Sequence, residues 1–246
     1  ASNAWIKINN SVGADFANAA WTLRPDGYSY AGTNTTFHSN DNSQFYLSNS
    51  DEQGAGISTE TILESPSFAL TGYTDVNLSY YHHFSWFSAA DIARVEISNN
   101  SGASWTVLRT WNSDQGTEAS FANDVINLNA YKNQLVKIRF RYNSDFGDYW
   151  AVDNISVTGT PSANTFAWTS TPAGFTSALQ NPINVIPAIT TTYKLTVTSG
   201  AGCSATASTE VAVNTNITYY QDNDGDGYGN PNVSVITCAG APSGYV

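Results

Sequence analysis

The sequence predicts an all-β protein of antiparallel strands packed as facing sheets, and three observations predict it. Leu135 to Gly159 reads as two strands joined by a short acidic and aromatic loop. Strand-like runs separated by turn residues recur from Trp5 to about Thr160, with no convincing helical period. Only 12% of residues are charged while 13% are aromatic, a composition suited to pleated, half-buried surfaces.

Within the central stretch, Val136, Ile138, Phe140 and Tyr142 alternate with Lys137, Arg139 and Arg141, so one face is apolar and the other cationic. On the following strand, Ala151, Asp153, Ile155 and Val157 are expected to share a face, which puts the Asp153 carboxylate among apolar neighbours. A carboxylate there needs a cation or several hydrogen-bond donors.

Before that pair, strands are expected at Trp21 to Arg24, Gln44 to Leu47, Thr59 to Leu63, Val76 to Phe84, Ile92 to Ser98, Trp105 to Trp111 and Val125 to Leu128. Val76, Leu78, Tyr80, His82 and Phe84 take one face of their strand, which leaves His83 opposite and makes His82 a core and His83 a surface histidine. Many antiparallel strands with long loops imply two sheets, because each must cover its apolar face with the other. The segment SNNSGASW, residues 98–105, reads as a hairpin in which Asn100 and Gly102 supply backbone freedom.

A Gly, Pro and Ser cluster at Thr158 to Asn164 marks a boundary. Beyond it Tyr193, Leu195 and Val197 alternate with Lys194, Thr196 and Thr198, Val211 and Val213 close the pattern, and Trp168 is the natural core plug. At about 55 residues this part should have a thin core. The predicted domains are 5–160, 161–215 and 216–246.

The last segment differs in kind. Asp222, Asp224 and Asp226 stand at alternate positions before Gly227, the start of a DxDxDG loop. Hard calcium takes six to eight oxygens, so the three carboxylates, the Tyr228 carbonyl and a side-chain or water-mediated oxygen at Asn230 are the expected ligands. The twelfth loop position is Val233 and not a bidentate Glu.

A formal net charge of −11 with nine Lys and Arg argues against nucleic acid and fits calcium. Cys203 and Cys238 lie in no CxxC or zinc spacing, and both a disulfide and two free thiols remain open. No run is apolar enough to span a bilayer, so no membrane insertion and a soluble chain are expected. Ser2-Asn3-Ala4 looks like the remnant of a cleaved tag, in which case the chain is a piece of a longer secreted protein.

Three resemblances follow. Residues 5–160 resemble the MAM-like jelly-roll of cleaved-adhesin modules and of domains beside bacterial secreted peptidases, through DFANAAWTL, ILESPSFALTGYTDVNLSYYH, DIARVEISNNSGASWTVL and the closing KIRFRYNSDFGDYWAVDNISVTG. Residues 161–215 resemble PKD-like immunoglobulin repeats through Trp168, TTTYKLTVT and Gly202-Cys203. Residues 217–246 resemble thrombospondin type 3 calcium repeats through YYQDNDGDGYGNP, Cys238 and Gly244-Tyr245-Val246. The SNNSGASW hairpin resembles the Asp-box of sialidases, but a propeller needs the box repeated, and one copy is present.

The jelly-roll resemblance implies a structural calcium held by Asp153 and Asp15. Ala17 stands where the family carries an acid, so Asp41 or Asn42 is a substitute.

No HExxH, GxSxG, P-loop or cysteine with a catalytic base is present, so no catalytic residue is assigned. Trp86 and Phe87 in FSWFSA, and Phe146 and Tyr149 in DFGDYW, are the candidate ligand-binding aromatics, flanked by Asp145 and Asp148. The resulting expectation is a non-catalytic accessory region of a secreted or cell-surface bacterial protein that binds extracellular glycan or protein. The alternative is a structural spacer positioning a peptidase, glycosidase or adhesin domain elsewhere in the parent chain.

Overall fold

Alternation along the chain decides which side chains meet. The computed structural model describes residues 4–13, 15–30, 35–54 and 58–246, so Ser2 and Asn3 of the tag-like start lie outside the described residues. The chain divides into two compact units, Ala1–Ser162 and Ala163–Val246. Among the described residues no helix is long and apolar enough to cross a membrane.

The first unit holds β1 (Ile6–Asn9), β2 (Thr22–Pro25), β3 (Tyr28–Ser29), β4 (Thr36–Phe37), β5 (Gln44–Asn49), β6 (Thr59–Glu64), β7 (Phe68–Ala69), β8 (Tyr73–Ser85), β9 (Ile92–Ser98), β10 (Thr106–Trp111), β11 (Ala122–Asn127), β12 (Leu135–Ser144) and β13 (Tyr149–Pro161). One sheet runs β1-β6-β12-β9-β10, with β7 also on β12, and the other runs β11-β8-β13-β5-β2. Every pairing is antiparallel.

Between the sheets the apolar face of β12 (Val136, Ile138, Phe140, Tyr142) packs against Leu78, Tyr80, Phe84, Trp150 and Val152. The cationic face of β12 is not simply solvated. Lys137 donates to Glu64 at 2.6 Å, Arg139 to Glu96 at 2.5 Å, and Arg141 to Glu60. Arg139 also lies over the Trp105 ring at 4.2 Å, which lets Glu96 be buried.

Two expectations on the five-stranded sheet are corrected. A bulge between Asp153 and Ser156, where Asn154 takes φ 48°, inserts one residue into β13 and reverses its parity. Ile155 therefore packs into the inter-sheet core, while Ala151 and Asp153 face outward. That outward face is itself covered, by a second cluster of Tyr30, Phe37, Phe45, Leu47, Phe121, Tyr149 and Ala151. His83 is thus buried like His82 and not at the surface. Burial lowers the His82 pKa to about 4, and the His83 ring meets the Gln115 carbonyl at 2.9 Å through Nδ1.

In the β9–β10 hairpin, Ser101 and Gly102 take the positive φ values. Asn100 has a different task from the one expected: its Oδ1 accepts the Ser104 N–H at 2.9 Å, and Trp105 Nε1–H closes the turn on the Gly102 carbonyl at 3.1 Å.

The second unit holds β14 (Thr165–Thr171), β15 (Thr176–Ser177), β16 (Thr191–Thr198), β17 (Ser204–Val211), β18 (Ile217–Gln221) and β19 (Asn230–Thr237). Its main body is one four-stranded sheet, β15-β14-β16-β17. Irregular chain between β15 and β16 supplies Leu179, whose carbonyl accepts Trp168 Nε1–H at 3.1 Å. Trp168 is only half-buried, and Tyr193 is the sole buried apolar side chain of this unit among the described residues. The tail is the hairpin β18–β19 with the acidic loop at its tip. Cys203 and Cys238 are free and exposed.

Candidate functional site

Four loops meet at one end of the first unit, and backbone groups lock them together. Asp148 O accepts the N–H groups of Ser50 and Asp51 at 2.8 and 3.1 Å. The Ser85 hydroxyl donates to Asp148 Oδ2 at 2.6 Å, and the Trp86 N–H donates to Asp114 Oδ1 at 2.8 Å. The fully buried Asp91 was not singled out in the sequence, yet it pins the Trp86 loop. Its Oδ2 accepts the Phe87 and Ser88 N–H groups at 2.7 and 2.9 Å, and its Oδ1 accepts the Ser144 hydroxyl at 2.5 Å. Gly147 must be glycine, because a Cβ there would run into the Asp91 carboxylate and Ser144 hydroxyl. The only sequence signal for this arrangement is an acid three residues after Ser88, at the threshold of β9.

On this frame Trp86 stays 37% and Phe87 60% exposed. Phe87 meets Phe146 edge to face at 6.0 Å, and Phe146 holds φ 71°. Phe87 and Phe146 are brought together, and Trp86 adjoins Phe87 along the chain. Tyr149 is not one of them: it is buried in the second cluster, edge-on to Phe37 at 4.9 Å, with its hydroxyl donating to Glu118 at 2.7 Å. Its position on β13 turns the ring onto the covered outer face, so it anchors the loops and offers no face to a ligand. Burial raises the Asp148 pKa; the Ser85 hydrogen bond opposes this, and Asp51, Asp91 and Asp114 add to it.

The Asp153 carboxylate is buried and bonded to backbone. Oδ2 accepts the Asn40 N–H at 3.0 Å and Oδ1 the Asn154 N–H at 2.7 Å. Burial raises its pKa despite those amides, and the neighbouring Asp41 carboxylate raises it further. Asp41 itself accepts the Ser43 N–H at 3.0 Å and the Ser39 hydroxyl at 3.2 Å. Asp15 is exposed at the head of the 3₁₀ turn Phe16–Ala19, and the groups around Asp153 come from residues 39–41 and 154.

At the tip of β18–β19, carboxylate oxygens of Asp222, Asp224 and Asp226 lie within 4.8 Å of one another. Asp222 accepts the Gly225 and Gly227 N–H groups at 2.8 and 3.1 Å, with both glycines at positive φ. A desolvation penalty that would raise the Asp222 pKa is outweighed by these amides, which hold it below the usual range. Tyr228 is 82% exposed, its N–H on Asp226 Oδ1 at 2.8 Å. The Asn230 side chain is turned to the Asn232 N–H at 2.9 Å. Clustered hard oxygens on a glycine-bent loop fit a calcium-sized cation.

The class these features define is an all-β, antiparallel two-sheet module carrying loop-borne aromatics. No family model matches the chain, and no curated protein matches it. Among solved structures, the K1 cleaved adhesin domain of Lys-gingipain from Porphyromonas gingivalis W83 is 13% identical, covering 63% of this chain and 98% of its own, with a TM-score of 0.40. The K3 cleaved adhesin domain of the same protein is 15% identical over 61% and 97%, TM-score 0.38. The carbohydrate-binding module TmCBM61, solved with β-1,4-galactotriose, is 12% identical over 63% and 88%, TM-score 0.36.

Proposed function

We propose that this chain is a non-catalytic, extracellular accessory region whose first unit binds glycan or protein through Trp86, Phe87 and Phe146. One observation carries the reading. Apolar rings are held out in water on loops that buried hydrogen bonds fix in place, and such pre-ordered aromatic surface favours binding because little entropy is lost on contact. The test is a glycan and matrix-protein array at millimolar calcium. Binding that is lost in a Trp86→Ala/Phe87→Ala variant supports the reading, and no binding by the parent protein sinks it.

In the same reading the second unit is a PKD-like spacer, and the tail opens a thrombospondin type 3-like calcium repeat. Asp222, Asp224 and Asp226 hold the ion with oxygens from Tyr228 and Asn230 completing the shell. Asp153 and Asp41 form a secondary calcium pair, and Asp15, set apart at the Phe16–Ala19 turn, takes no part in it. Tail calcium would stiffen the hairpin and not enter any reaction.

A further inference from the structure

Resting on that binding reading, we infer that the ligand of the aromatic loop end is a basic polypeptide segment, one whose Lys or Arg side chains lie across Trp86 and Phe87. The four loops there span residues 50–54, 85–91, 112–121 and 143–149. They carry seven carboxylates, Asp51, Glu52, Asp91, Asp114, Glu118, Asp145 and Asp148, and no Lys, Arg or His. Four of the chain's nine Lys and Arg are paired away from this end. Lys137, Arg139 and Arg141 pair with Glu64, Glu96 and Glu60, and Arg109 pairs with Asp124 at 3.1 Å.

Negative charge at this end is therefore concentrated around exposed rings.

Spacing separates a basic segment from a metal ion. Among the described residues only the tail triad brings three acidic, His or Cys groups within 4.8 Å of one another. The loop-end carboxylates are more widely set, and they approach one another through the three carboxylate neighbours of Asp148. Charges distributed over four loops match several cationic groups on one chain better than a single ion. Exposed Trp and Phe faces add cation–π attraction and cover for the methylene stems of Lys and Arg. A neutral sugar would gain from the rings but not from this field.

The experiment is calorimetric titration of the full chain with a Gly-Ser peptide bearing four spaced Lys and Arg. The controls are the same peptide with Gln in their place and a set of neutral oligosaccharides. The expected result is saturable one-to-one binding of the basic peptide, weakened roughly tenfold between 50 and 300 mM salt. Asp145→Asn, at an exposed position, should weaken it about threefold, and Trp86→Ala about tenfold. Glu210→Gln makes the same charge change on the second unit and should leave it unaltered.

Equal weakening by Glu210→Gln and Asp145→Asn would reduce the effect to net charge and overturn the inference. Unchanged binding in Trp86→Ala would overturn it too. Asp145→Lys should abolish binding with the thermal transition preserved, which covers the case in which Trp86→Ala unfolds. If neutral oligosaccharides bind through Trp86 and the basic peptide does not, the inference fails while the binding reading survives. If nothing binds, both fail.

Discussion

The two units draw on similar strand chemistry and differ in what closes their sheets. In the first, the alternating face of β12 meets a complete second sheet, and the result is a continuous core from Trp21 to Val152. In the second, an equally regular strand, β16, pairs residue for residue with β14 and β17, but irregular chain stands where a second sheet would be. Trp168, Phe166 and Leu195 stay half-buried, and β17 is exposed along its whole length. Alternation thus specifies a strand, whereas burial needs an opposing layer. The first unit can hold aromatic loops rigidly because its core is deep, while the second has little with which to fix a binding surface.

The most severe way to break this contrast is to remove one large ring from each unit. Trp150 is fully buried and touches Trp21, Phe84, Phe140 and His82. Trp150→Ala should therefore cost about 3–5 kcal/mol. Trp168→Ala should cost about 1–2 kcal/mol, because much of the ring never left water. Urea unfolding of each variant checks this. Trp168 is the only tryptophan of the second unit, so the unfolding of that unit in Trp168→Ala is followed by hydrogen exchange of its β14 and β16 amides. Equal losses at the two positions would show that the irregular segment forms a real second layer.

How much could be read from the chain follows the same physics. The long alternating runs of β8, β9 and β12 were legible because each pairs one apolar face with one sheet. The short strands β1, β3, β4 and β7 were not, since two to four residues carry too little period. The bulge at Asn154 and the covered outer face behind His83 depend on distant segments, which is why Ile155, His83 and Tyr149 were misplaced. At the candidate site the exposed Trp86 and Phe87 were visible as aromatics in a turn, while Asp91 was hidden because its hydrogen bonds reach β12. The Asp222, Asp224 and Asp226 spacing was legible because its geometry is local.

Calcium sharpens the comparison next. With a dissociation constant of about 0.1 mM, millimolar calcium would stabilise the hairpin unit by about 1.4 kcal/mol. EDTA should lower the second unit's melting transition and added calcium restore it, with Asp222→Asn abolishing the response. A shift confined to the first unit's transition would move the ion to Asp153 and Asp41.

Acid should act on Asp148 of the first unit and Asp222 of the second in opposite directions. The Asp148 carboxyl titrates above its unfolded value, chiefly through burial, so the folded state takes up the proton first. Ionised, it is a cost at neutral pH, and stability rises as pH falls through its folded pKa towards the ordinary carboxylate value. Asp222 is displaced the other way by the Gly225 and Gly227 amides, so whatever it contributes is present at neutral pH and is lost as pH falls through its folded pKa. Asp148→Asn should therefore raise the first unit's neutral-pH melting temperature by about 1–3 °C and flatten its rise between neutral and mildly acidic pH. The amide oxygen can still accept from Ser85, so the loop should keep its shape. A melting temperature that falls in Asp148→Asn would mean that the carboxylate, ionised, holds the loop end together, and the negative field around Trp86 would then be a structural requirement and not a feature directed at a ligand.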